Sequence, residues 1–148
     1  MTIEKPRITA KIAGRALHPL LRPFAIGYFL AVCACDLIYS QASVFARSTA
    51  SEFASITEWL LVAGLVTAGM AAVVALIDLL GERRFRSLPD ARMYAAGGAL
   101  VVALEIHNLS LRASAGADAI TPMGLILSLS AVAVLLATPS QNWARMYR

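Results

Sequence analysis

Residues 58–80 read EWLLVAGLVTAGMAAVVALIDLL. Between Glu58 and Asp78 lie nineteen consecutive residues without a charge. A helix of about 20 mostly apolar residues is what a bilayer core of about 30 Å requires. The segment is too long for a strand and shows no strict alternation, which excludes a β-barrel. Its small and polar residues Gly64, Thr67, Ala68, Ala71, Ala75 and Asp78 recur at three- and four-residue steps. Small residues on one stripe let a neighbouring backbone approach closely, so this is the expected packing face, with Asp78 pointing inward.

Three more stretches have the same character: residues 23–39, 93–111 and 120–138. Punctuation supports the cuts. Pro19 and Pro23 precede or open the first helix, where a missing N–H costs little. Gly81 follows the second. Thr121 and Pro122 read as N-cap and first turn of the fourth, and Pro139 stops it. The whole chain of 148 residues agrees: 59% is hydrophobic, 15% is charged and the mean hydropathy is +0.69. Ordinary soluble domains are about 45–50% apolar and about 25% charged. Disorder is excluded, and so much apolar surface cannot be hidden in a soluble domain of this length. The expectation is an all-α integral membrane four-helix bundle, folded as a single domain over residues 1–148.

Cationic residues set the orientation. Of the 13 Lys and Arg, eleven fall before the first span, in the second loop or in the C-terminal tail. Only Arg47 in the first loop and Arg112 in the third lie on the other side. Both termini are therefore expected in the cytoplasm. The basic flank of the first span also fits a cleaved signal peptide. Removing it would put the basic second loop on the wrong side, so an uncleaved anchor is the expectation. Upstream, Ile8, Ile12 and Ala16 share a helical stripe beside Lys11 and Arg15. Residues 7–17 read either as a short helix lying on the anionic leaflet or as a plain basic tail. Lys11, Arg15, Arg22, Arg83, Arg84 and Arg86 are the expected membrane-surface cations.

Charged side chains at the centre of a spanning helix cost roughly 2.5–3.5 kcal/mol each on insertion scales, so they face the bundle and find partners. The spans sort them into two layers. An outer layer would join Asp36 to His107, Asn108 and Glu105. An inner layer would join Asp78 to His18, Arg22 or the second-loop arginines. On the third helix Gly98, Glu105, Asn108 and Arg112 share a stripe, while His107 points about 200° from Glu105 at 100° per residue. The fourth helix carries no charge, and its Leu, Ile and Val suit lipid or a partner protein.

Two functions fit these residues. In one, the polar layers hold the bundle together, and the protein is a non-catalytic subunit or scaffold of a complex or homo-oligomer. In the other, Asp36, Asp78, Glu105 and His107 bind haem, quinone or a proton-coupled solute. Haem meets an obstacle: of the two histidines, His18 lies at the inner surface and His107 about 20 Å from it at 1.5 Å per residue. A single-ligand haem, or one shared between subunits, is the form left. No metal spacing surrounds His107. Cys33 and Cys35, two apart on a helix, face different ways and read as small apolar fillers. No nucleophile elbow, phosphate loop or catalytic triad stands in the right context, which speaks against an enzyme. The net charge of +4 reads as topology rather than nucleic-acid binding.

Residues 16–21 (ALHPLL), then Pro23, Ile26-Gly27 and Asp36, resemble the opening of a bacterial family of predicted inner-membrane proteins catalogued as domain of unknown function twenty-two thirty-one. Trp59, Gly64-Leu65, Gly69 and Ile77-Asp78 are similar to its Gly-rich second helix. The resemblance implies a four-helix membrane protein with no assigned activity. It points to His18, Asp36 and Asp78 as site residues and makes Pro19 and Gly27 backbone and packing positions. It also implies a histidine near the start of the third helix, where this chain has Met93-Tyr94 instead.

Overall fold

The computed structural model describes the backbone of residues 11–12, 15–16, 18–45, 47–81 and 89–138, and the side chains of 21–41, 52–77 and 93–138. Among the described residues the chain is all-α but for one two-residue antiparallel pair, β1 (Lys11–Ile12) with β2 (Arg15–Ala16). Ile12 pairs with Arg15 and Lys11 with Ala16, which does not fit the helical alternative for residues 7–17; the rest of that segment lies outside the described residues.

Four α-helices follow among the described residues: α1 (His18–Phe45), α2 (Arg47–Gly81), α3 (Pro89–Ala115) and α4 (Leu125–Ala137). Pro19 stands in the first turn of α1, where its missing N–H is no loss. Pro23 lies inside the helix rather than before it, and removes one backbone bond near the N-terminal end. Between α3 and α4 the backbone passes through a 3-10 turn, Gly116–Ala119, and a short irregular segment, Ile120–Gly124. Gly116 has φ 63°, a left-handed conformation suited to glycine at a helix end. Thr121 is extended (φ −125°, ψ 127°), the region favoured before proline, and the Thr121–Pro122 bond is cis.

Three stretches are long and apolar enough to cross a membrane: Leu21–Gln41, Glu52–Ile77 and Met93–Ala137. The third holds 45 residues and contains the break, so it is two helices rather than one. Side-chain positions fix how these helices run. Gly64 of α2 lies against Phe29 and Tyr28 of α1, at nearly equal chain distance from the junction of the two helices, which makes the pair antiparallel. Gly97 near the start of α3 meets Thr138 just past α4, so α4 folds back along α3. Around the ring, α1 packs on α2 and α4, and α3 packs on the same two. Helices α1 and α3 therefore face each other across the middle.

Every helix contributes to one core: Phe29 and Val32 from α1, Leu61 from α2, Val101 from α3 and Ala131 from α4. What lies outside is unusual for a water-soluble fold. Trp59 is 74% exposed and Leu136 78%, with Phe24, Ile56, Val66, Val73 and Ile106 also outward. Meanwhile Asp36, Glu105, Asn108, Thr57 and Ser128 are wholly buried. Apolar side chains outside and polar ones inside match a hydrocarbon solvent, in which each polar group must find an internal partner.

Candidate functional site: a buried ionic cluster

One polar cluster occupies the interior near the C-terminal ends of α1 and α3. Helix α3 builds most of it. Glu105, Asn108 and Arg112 stand at steps of three and four, so they line one face. Asn108 Nδ2 donates to Glu105 Oε2 at 3.0 Å, and Arg112 Nε donates to Asn108 Oδ1 at 2.9 Å. Asp36 comes from α1 on the far side of the ring. Arg112 Nη2 donates to Asp36 Oδ2 at 2.7 Å, an ion pair whose side chains are 3% and 0% exposed. Helix α4 closes the arrangement with Ser128, whose Oγ donates to the same Asp36 oxygen at 2.6 Å. That hydroxyl in turn accepts from Asn108 Nδ2 at 3.0 Å. Three helices are thus joined through five side chains.

Gly124 makes room for the cluster. A Cβ there would stand 2.8 Å from the Ala119 carbonyl oxygen, 3.2 Å from Asn108 Oδ1 and 3.4 Å from Arg112 Nη2. Only glycine lets the entry to α4 sit this close. From α2, Thr57 is buried and donates to its own Phe53 carbonyl at 2.7 Å. Counting seven residues along each helix from the Gly64–Phe29 contact puts Thr57 at the depth of Asp36.

The cluster is not fully satisfied. Asp36 Oδ1, Glu105 Oε1 and Arg112 Nη1 are buried without a hydrogen-bond partner. An unpartnered buried polar atom is costly, so these three atoms mark where the site has capacity left.

The sequence-derived site residues divide accordingly. Asp36, Glu105 and Asn108 come together. His107 does not join them: it is exposed on the opposite side of α3, as its angular offset from Glu105 requires. Arg112 was assigned to the third loop, but the helix continues to Ala115 and carries it inside as the counter-ion of Asp36. A topogenic loop cation it is not. With Arg112 withdrawn, Arg47 alone remains of the two cations placed on the sparse side, and the charge bias grows. Ser128 is hidden by the apolar pattern of the fourth helix. Its signal was slight: Ser128 and Ala131 are small residues three apart, and both are buried, whereas Ser130 is satisfied by its own Ile126 carbonyl.

On the packing face, Gly64 is against the Phe29 ring, Ala71 is buried and Ala68 packs on the core, with Ala75 half-buried. Gly27 is corrected: it is exposed, with open space where a Cβ would lie, so no close helix contact depends on it. Gly98 is exposed as well, leaving the stripe of α3 to its lower half. At the other end of the molecule Arg22 stacks over the Tyr94 ring, 4.7 Å from its centroid. The side chains of His18, Asp78, Lys11, Arg15, Arg83, Arg84 and Arg86 lie outside the described residues. Cys33 and Cys35 are free thiols. Among the described residues no group of three or more His, Cys, Asp or Glu is placed to hold a metal ion.

Apolar helices carrying an internal ion pair define an integral membrane protein of the helical class. The chain belongs to the predicted membrane protein family DUF2231, which matches residues 14–141. No curated protein and no solved structure matches it.

Proposed function

We propose that the chain crosses the bacterial inner membrane four times as an up-down-up-down bundle, with both termini in the cytoplasm, and serves as a non-catalytic subunit of a membrane complex or homo-oligomer. The observation that carries this reading is the Asp36–Arg112–Ser128 junction. Its charges are spent on joining α1, α3 and α4, which is what a rigid scaffold requires. The reversal between α3 and α4 supports four crossings rather than three, because a straight stretch of 45 residues would run about 68 Å, twice a bilayer core.

Helix α2 supplies the surface for neighbours. Ile56, Trp59, Val66, Met70 and Val73 are exposed on it. They meet lipid, and a partner helix would replace lipid there at little cost. Photocrosslinking residues placed at Trp59 and Val66 in the native membrane test the subunit role. A discrete protein adduct, to another chain or to a second copy, is the expected result. Adducts to lipid alone, with a monomeric particle in mild detergent, would contradict it.

A further inference from the structure

The buried cluster has an odd charge count. It contains two carboxyl groups, Asp36 and Glu105, and one guanidinium, Arg112, with residue exposures of 0%, 0% and 5%. Among the described residues nothing else around it supplies a compensating charge. From α1, the nearby ionisable group is the Cys33 thiol, one turn before Asp36. From α2, Thr57 is neutral, and Glu52 and Glu58 are exposed. Helix α4, Leu125–Ala137, has no ionisable residue. With both carboxyls ionised, one negative charge would remain unpaired inside an apolar bundle, a state that costs far more than neutralisation.

The hydrogen bonds say which carboxyl is the odd one. Asp36 Oδ2 takes both charged and neutral donors, Arg112 Nη2 and Ser128 Oγ. Glu105 receives one neutral amide donor, on Oε2, and no charged one; its Oε1, like Asp36 Oδ1, is buried with no partner. We propose that the cluster is a membrane-embedded proton site: one proton is bound at Glu105 Oε1, beside an ionised Asp36–Arg112 pair. The chemistry is a simple acid–base step. The O–H bond forms with a proton drawn from water, and no electron moves. A neutral Glu105 accepts from Asn108 through its carbonyl oxygen and keeps its O–H to offer. The chain Asp36–Ser128–Asn108–Glu105 ties the other oxygen of that carboxyl, Oε2, to the ion pair through consecutive hydrogen bonds. This inference stands whether or not the protein is a complex subunit.

Infrared spectroscopy on the full chain in lipid vesicles at neutral pH tests it. The wild type should show the C=O band of a protonated carboxylic acid. That band should move to lower frequency when the glutamates carry 13C carboxyls, and it should vanish in Glu105→Gln while the melting midpoint stays unchanged. Glu52→Gln and Glu58→Gln, which lie in the second span, should keep it. Absence of an acid band in the wild type would overturn the proposal, as would a band that ignores the glutamate label, which would place the proton on an aspartate. If Glu105→Gln fails to assemble, the labelled wild type and the other two variants still decide the matter.

Discussion

Arg112 is the residue on which the interior depends. Its guanidinium holds Asp36 across the ring and Asn108 along its own helix. Breaking a buried ion pair by removing one partner typically costs about 3–5 kcal/mol, because the other charge is left alone. Arg112→Met should therefore lower stability by that order, while Asp36→Leu with Arg112→Met should recover most of it; thermal unfolding in lipid nanodiscs reads both. Equal loss in the single and double variants would show that the pair does not act as a unit. Arg112→Lys is not conservative, since an ammonium cannot reach Asp36 and Asn108 with two separate nitrogens. The residues of this cluster were half legible in the sequence. Intramembrane carboxylates announce themselves because lipid makes them expensive, and Glu105, Asn108 and Arg112 share a visible stripe. Arg112 itself was obscured because a cation at the end of an apolar run looks like a loop charge. Ser128 was obscured because a lone serine in a spanning helix normally bonds its own backbone, as Ser130 does.

At the scale of elements, two glycines set helix distances. A Cβ on Gly64 would lie 2.8 Å from the Phe29 ring and 3.1 Å from the Tyr28 Cβ. Gly64→Val should force α1 and α2 apart and cost about 1–3 kcal/mol, as overpacking does. Gly124→Ala should be comparably harmful for a different reason: the nearest obstacle is the Ala119 carbonyl, which is backbone and cannot swing away. Gly27→Ala, which meets open space, serves as the control and should leave the midpoint unmoved. Differential scanning fluorimetry separates the three, and a Gly27→Ala loss equal to that of Gly64→Val would contradict this assignment. Helix existence was plain from hydropathy alone, since long uncharged runs leave no other structure in lipid. Helix ends were not. Helix α2 begins at Arg47, eleven residues before the apolar run starts at Glu58, because Ser, Thr and Glu continue a helix outside the core without altering hydropathy in its favour. The β1–β2 pair was hidden behind the helical spacing of Ile8, Ile12 and Ala16.

For the whole molecule, the arrangement couples solvent to charge. Apolar side chains face outward on all four helices, and the interior holds an ion pair reached from three of them. That inversion only makes sense if the surroundings are hydrocarbon. In the proposed fourfold crossing, the α3–α4 reversal returns the chain to its starting side. Single cysteines at Thr2, Ala117 and Arg148, in a Cys33→Ala, Cys35→Ala background, can be probed in intact cells with a membrane-impermeant maleimide. The account predicts that Ala117→Cys reacts from outside, while Thr2→Cys and Arg148→Cys react only after the membrane is opened. Labelling of Thr2→Cys and Arg148→Cys from opposite sides would contradict it.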